Sequence, residues 1–296
     1  MKIFDCFMYF DEELVLDVRF HHLYEYVDYF VIVESEFNHK GEKRDLNFNI
    51  NNFSKFKDKI LYLVKNNQPQ EIKEILEADS ENDKNNKYII NAAYRENSQR
   101  NFIMEGLKKA NDEDIILVSD VDEIPKIDNI DFNNIKEKIF LFKQDMFYYK
   151  FNLSIPNFKW TGTKGCKFKN LKNPQWLRNI KDRKYPFYRL DTFFSENKYI
   201  SIKIIEDGGW HFSYLKSANE IKHKLKSYLH HREFDLQSLS IKQIEETIKN
   251  KMAIYDLKAD KTANKVGTGV KLQNFDKQKL PRYIQDNEIL FKEWID

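Results

Sequence analysis

Apolar positions in the first 125 residues fall into short runs separated by stretches of helical spacing. The runs "KIFDCFMYF", "YFVIVES", "KILYLV" and "DIILVS" read as strands; the continuous apolar run of "YFVIVES" marks burial on both faces, and "DIILVS" reads as another buried strand. Between the first two, "DEELVLDVRFHHLYEYV" spaces Leu14, Val18, His22, Leu23 and Tyr26 as a helix does, with acids in its first turn. "YIINAAYRENSQRNFIMEGLKKAN" predicts a helix before "DIILVS", and the polar stretch from Lys65 to Lys87 predicts a loop or marginal helix. Strand, helix, strand, strand, helix, strand is the order of an α/β protein whose sheet is mixed but mostly parallel and flanked by helices.

After Pro125 the pattern changes. "KIFLFKQDMFYYKFNLSI" is long, aromatic and partly alternating, which suits an antiparallel or edge arrangement. "NFKWTGTKGCKF" and "NPQWLRN" read as tryptophan-bearing loops, and "YISIKII" as a strand running into "EDGGWHFSYL". Ser217 and Glu220 form a capping box opening a helix with Ile221, Leu225, Tyr228 and Leu229 on one face. Helical segments from Ser240 to Asp256 and a tail ending "LPRYIQDNEILFKEWID" make a helical C-terminal part. With no repeat and no Pro/Gly/Ser-rich linker, residues 1–296 read as one domain: a ligand-binding half at 1–125, a second half at 126–235 and an extension at 236–296.

Charge and composition narrow the function. The 296 residues carry 49 basic and 47 acidic side chains, a net charge of +2, which gives no basic excess for nucleic acid. Hydrophobic residues at 41% support a sizeable core. Cys6 and Cys166 have no CxxC spacing, so neither a disulfide framework nor a zinc site is expected. No apolar run reaches ~18 residues, and the start "MKIFDCFMYFDEE" resembles no signal peptide, so the expectation is a soluble cytoplasmic protein.

The chemistry concentrates in "DIILVSDVDEIP", where Asp120, Asp122 and Glu123 crowd the end of a buried strand. Ligands of open α/β sheets bind beyond the carboxyl ends of the strands. Alternation would point Asp120 and Asp122 the same way. Two such carboxylates suit Mg2+ or Mn2+, with a substrate's phosphates completing the shell. An Asp in this place is also a common turn former. Glu34, at the end of the second predicted strand, is placed to accept hydrogen bonds from a nucleoside or to cap a turn. Arg95 and Arg100 precede the acidic strand on a helix, and arginine suits bidentate phosphate contacts. Trp160, Trp176 and Trp210 are candidate sugar platforms, although core burial is the commoner fate of tryptophan. Arg178 could neutralise a departing diphosphate. His21, His22, His223, His230 and His231 share no metal spacing.

Together, "VIVESEFNHKGEKRDLNF", "SQRNFIMEGL", "ILVSDVDEIP", "GGWHFSYL" and "LPRYIQDNEILF" resemble glycosyltransferase family 17, in that family's order across residues 31–291. The resemblance implies a GT-A (Rossmann-like) fold, a nucleotide-sugar donor and inversion at the anomeric carbon. It nominates UDP-N-acetylglucosamine as donor and a glycan hydroxyl as acceptor. It places Asp122, Asp120 and His211 at the metal, and prefers Arg100, within "SQRN", to Arg95. Glu123 and Asp207 are the candidate general bases. Unlike animal members, the chain shows no N-terminal anchor or stem, which turns the expected acceptor toward surface polysaccharide or glycoprotein glycan. Membrane association would then be peripheral, through a lipid-linked acceptor. Rival readings are a nucleotidyltransferase, which would want a glycine-rich phosphate loop after the first strand; a glycosidase, which needs two spaced carboxylates but no nucleotide; and a non-catalytic carbohydrate-binding protein.

Overall fold

The computed structural model describes residues 1–183, 185–186, 188–192, 194–227, 239–254 and 269–296. Tyr228, Leu229 and Asp256, given helical places above, and His230 and His231 lie outside the described residues.

The N-terminal half builds a parallel sheet. Strands β1 (Ile3–Tyr9), β2 (Tyr29–Ser35), β3 (Ile60–Lys65) and β4 (Ile115–Asp120) lie in the order β3-β2-β1-β4, so their carboxyl ends share one edge. Each apolar run divides between two faces. Phe7, Phe30, Ile32 and Leu117 pack with Val15, Leu16, Phe20 and Leu23 of helix α1 (Glu13–Leu23). Cys6, Val31, Val33 and Val118 pack with Ile103 and Leu107, in the 3-10 turn after helix α2 (Glu81–Asn101). Helix α2 starts earlier than its apolar spacing predicts, because Ser80 caps it, its Oγ accepting from Asp83 N at 3.1 Å.

Beyond β4 the sheet curls. Strands β5 (Glu123–Pro125), β6 (Ile139–Tyr148), β7 (Leu153–Lys167), β8 (Ile202–Ile205) and β9 (Gly209–Ser213) extend the order as β4-β7-β6-β9-β5, with β8 beside β6. Val121 and Asp122 alone separate β4 from β5 in sequence, yet β7, β6 and β9 stand between them in the sheet. A flat sheet would put those strands about 19 Å apart, far more than the short bridge can span. The far edge therefore returns to the end of β4, and Asp120, Asp122 and Glu123 lie at the seam.

The tryptophan-bearing loops are corrected. "NFKWTGTKGCKF" belongs to β7, and "NPQWLRN" forms helix α3 (Pro174–Asn179), capped by Asn173 Oδ1 accepting from Trp176 N at 2.8 Å. Pro174 suits the first helical turn, where its missing N–H costs nothing. Gly209 turns into β9 at φ +111°, a conformation that disfavours any side chain. The Ser217/Glu220 box opens helix α4 (Ala218–Ser227), and Ser240 with Gln243 opens helix α5 (Ile241–Lys249). The C-terminal part also contributes a short strand, β10 (Gln273–Asn274), paired with β7. In helix α6 (Arg282–Asp286), Tyr283 stacks on His21 at 3.7 Å. Cys6 and Cys166 are free and buried, with β4 between their strands. No described helix is long and apolar enough to cross a membrane.

Arg19, fully buried on α1, ties this framework together. Its guanidinium meets Asp5 at 2.5 and 2.7 Å and Ser119 Oγ at 2.6 Å, and donates to the carbonyls of Asp120, Val121 and Glu123 at 3.1, 3.1 and 2.9 Å. Arg19→Met is expected to destabilise the fold by ~3–5 kcal/mol in urea titrations, because Asp5 is left charged and buried. Combining it with Asp5→Leu should recover part of that loss.

His22 supplies a pH test. It lies edge-on to Trp210 at 5.0 Å, and burial pushes its pKa down to about 4. The folded pKa is below the unfolded value, so the unfolded chain binds the extra proton. Stability from this group is full above pH ~6.5 and falls as pH drops, by about 3 kcal/mol near pH 4. Subtracting denaturation curves of His22→Gln from wild type across pH 4–7 should isolate this slope.

Candidate active site at the sheet seam

The seam faces its acids in two directions. The structure corrects the expectation that Asp120 and Asp122 point alike: β4 ends at Asp120, Val121 buries its side chain in the core, and Arg19 holds the carbonyls of the bridge.

Asp120 turns toward α2 and α3. Arg100 Nη2 donates to it at 3.0 Å and Arg178 Nη2 at 3.1 Å, while its side chain keeps 40% exposure. Desolvation pulls its pKa upward, but Arg178 and then Arg100 outweigh that and hold it well below the usual carboxylate range. Glu123 is fully buried beside it. Arg178 grips both its oxygens at 2.6 and 3.0 Å, Trp160 Nε1 donates at 2.7 Å, and Asp120 N at 2.9 Å. Gly162 makes room for this packing: a Cβ there would lie 1.7 Å from Gln144 Oε1 and 3.1 Å from the Glu123 carboxyl carbon. Arg178 also donates to Gly162 O at 2.5 Å, so both its terminal nitrogens are engaged by protein. Its place is as a brace between two carboxylates rather than as a free partner for diphosphate. Arg100 is similarly held, by Glu96 at 2.7 Å and by Gln175, leaving its buried Nε without a partner.

Asp122 turns toward β9 and α4. The pairing of Glu123 with His211 across β5 and β9 brings His211 Nε2 to 3.5 Å from Asp122 Oδ1, and Phe212 N donates to Asp122 O at 2.8 Å. Burial pulls the imidazole pKa down, but Asp122 outweighs it, so His211 titrates above its ordinary value. Desolvation likewise raises Asp122 while His211 and Lys224 lower it, and the net direction is down. Lys224 Nζ stands 3.8 Å from Asp122 Oδ2 and 2.9 Å from Glu12 Oε1. Glu12 is pinned by the N–H groups of Phe10 and Asp11, and Lys216 pairs with Asp11 at 2.9 Å. Sequence reasoning missed Glu12, Lys216 and Lys224. The available signal was Lys224 standing between the buried Ile221 and Leu225 of α4.

Other nominated residues lie elsewhere. Glu34 is fully buried and accepts from Arg44 at 2.8 Å, Asn47 N at 2.7 Å, Phe48 N at 3.1 Å and Tyr62 at 2.9 Å. It pins the loop after β2, and its oxygens have no capacity left for a nucleoside. Asp207 is 76% exposed and pairs with Lys126 at 2.6 Å. It precedes β9 at the Pro125 end, about 13 Å of extended chain from His211. Arg95 donates to Gln68 at 2.8 Å and to His39 O at 3.2 Å.

The metal test falls on Asp122 and His211. Their facing oxygen and nitrogen, 3.5 Å apart, approach the ~3 Å between adjacent ligands of an ion bound at about 2.1 Å. His211 Nδ1 is buried without a partner. Among the described residues, the carboxylates of Asp11, Glu12, Glu96, Asp120, Asp122 and Glu123 face four permanent cations, Arg100, Arg178, Lys216 and Lys224, so added positive charge is favoured. Among the described residues no group of three His, Cys, Asp or Glu side chains is arranged around one ion, so the pair fits a cation whose remaining ligands are substrate oxygens and water.

Comparison with known proteins bears on this geometry. The sequence model of glycosyltransferase family 17 matches residues 1–294. Beta-1,4-mannosyl-glycoprotein 4-beta-N-acetylglucosaminyltransferases of Rattus norvegicus and Homo sapiens are each 27% identical over 231 residues, 72% of this chain. The Mus musculus protein of the same name is 26% identical over the same length. The match spans 40% of the length of these curated relatives. No solved structure gives a significant match. Matched from its first residue almost to its last, this chain belongs to glycosyltransferase family 17.

Proposed function

We propose that the chain transfers N-acetylglucosamine from UDP-N-acetylglucosamine to a hydroxyl of an acceptor glycan, with inversion at the anomeric carbon. The observation that carries this is the seam: Asp122 and His211 face one another at the carboxyl edge of the parallel strands, beside a half-exposed Asp120. That edge is where open α/β sheets bind nucleotides, and the relatives' names supply the transferred sugar.

In this reading the acceptor oxygen attacks the anomeric carbon as the bond to the diphosphate breaks, and UDP leaves. Asp122 and His211 would hold Mn2+ or Mg2+, whose charge offsets that gathering on the diphosphate. Imidazole favours the transition metal, Mn2+. Lys224, with two carboxylates beside it, keeps Asp122 ionised. Arg100 and Arg178 do the same for Asp120, leaving an acceptor-only carboxylate for ribose hydroxyls. Of the two nominated bases only Glu123 belongs to the seam, and taking a proton would require it to exchange a bond with Trp160 or Arg178.

Calorimetry with UDP, with and without MnCl2, tests the cation site. Wild type is expected to bind UDP at least tenfold more tightly with the cation, and Asp122→Asn to lose that difference while melting at a similar temperature. Equal UDP affinity with and without MnCl2 in both proteins would falsify the assignment. Release of UDP from UDP-N-acetylglucosamine, but not from other nucleotide sugars, checks the donor.

A further inference from the structure

The four tryptophans have different fates. Trp176 is buried on α3 with its Nε1 donating to Glu196 O at 2.7 Å, and Trp210 is buried on β9 with its Nε1 on Lys279 O at 2.9 Å. Trp294 packs against the core from the C-terminal turn. Trp160 differs. It is partly exposed on β7, its Nε1 reaches Glu123 Oε1 at 2.7 Å, and its ring centroid lies 5.7 Å from that of His211. His211 in turn faces Asp122, so Trp160 is one side chain away from the candidate cation site.

Phe158 extends this surface. Residues two apart on a strand share a face and stand about 6.6 Å apart. Phe158 and Trp160 are both partly exposed and both pack against the cluster of Met146, Tyr148 and Tyr214. The result is an aromatic shelf backed by the core and ending at the seam acids. Because Glu123 is gripped by Arg178, the indole is held by a fixed partner, so little side-chain entropy remains to be lost on binding. An apolar face bordered by convergent polar groups suits a pyranose, which offers C–H bonds on one side and hydroxyls at its rim.

We propose that Trp160, continued by Phe158, is the stacking platform on which a pyranose ring lies at the seam. This rests on the glycosyl-transfer reading for its context, although sugar binding at the shelf can be measured without nucleotide. The ring is either the donor's N-acetylglucosamine or a sugar of the acceptor, and the two sources separate experimentally.

The test compares wild type, Trp160→Ala, Trp160→Phe and Phe158→Ala, each checked for an unchanged circular-dichroism melt. Affinities for UDP, UDP-N-acetylglucosamine and β-1,4-linked mannobiose are measured by calorimetry with MnCl2, and mannobiose also by tryptophan fluorescence without nucleotide. The expected result is a loss of tenfold or more in Trp160→Ala for one sugar-bearing ligand, with UDP itself within twofold. A loss confined to UDP-N-acetylglucosamine identifies the donor sugar, and a loss for mannobiose the acceptor. Trp160→Phe should stay within about threefold of wild type, and Phe158→Ala should show a smaller loss than Trp160→Ala. Equal damage in the Phe and Ala variants would mean that Trp160 acts only by holding Glu123, and that overturns the platform. So would affinities unchanged in Trp160→Ala, or a wild type that binds neither sugar-bearing ligand. Failure of wild type to bind UDP or release it from a donor, with mannobiose binding intact and dependent on Trp160, would instead overturn the donor reading and leave the platform standing.

Discussion

Arg19 is buried in the first helix and reaches Asp5 on one side and three backbone carbonyls of the acidic bridge on the other. A guanidinium in that place must have acceptors for its donors, because an unpaired buried charge costs several kcal/mol. The carbonyls of Asp120, Val121 and Glu123 provide them, and in doing so take up a shape that no regular strand would give. The side chains between those carbonyls are thereby aimed apart. The geometry of the seam follows from the requirement to satisfy one buried cation.

Aiming the acids apart also gives them separate counter-charges. Asp120 and Glu123 share Arg178, and Asp120 has Arg100 besides. Asp122 stands apart with His211 and Lys224. The arginine side is braced: Arg178 and Arg100 fix Asp120 and Glu123, and only the half-exposed Asp120 carboxylate remains open to a ligand. The His211 side is incomplete, with longer contacts and an orphaned imidazole nitrogen. Rigid and incomplete halves joined by two residues form a sensible frame for a cation and a diphosphate, since the braced half holds the open half in place. Trp160 belongs to both, anchored in the first and lying beside the second.

Much of the architecture was legible along the chain because its causes are local. Apolar runs gave β1 to β4, most plainly β2 and β4, since a strand covered on two faces needs apolar residues at nearly every position. The Ser217/Glu220 box found α4, since a cap is an interaction over three residues. Where local signals mislead, the cause is a contact from elsewhere. Glycines and lysines made β7 look like a loop, yet Gly162 is small because Gln144 and Glu123 crowd it from other strands. The helical spacing of α1 gave no place to Arg19, whose partners are mostly about a hundred residues away.

By itself, then, the sequence determined the strands, the caps, the crowding of acids at a strand end and, through the order of its motifs, the family. The curl of the sheet decided the rest. It brought β9 and α4 to the end of β4, selecting His211 and Lys224 as neighbours of Asp122 and leaving Asp207 outside on Lys126. It buried Glu34 under its own loop and lifted Trp160, alone of three candidates, to the seam. Hydrophobic periodicity records which face of an element is covered, but not which distant element covers it. The pairing of a charge with its counter-charge depends on that second fact, and only the folded chain contains it.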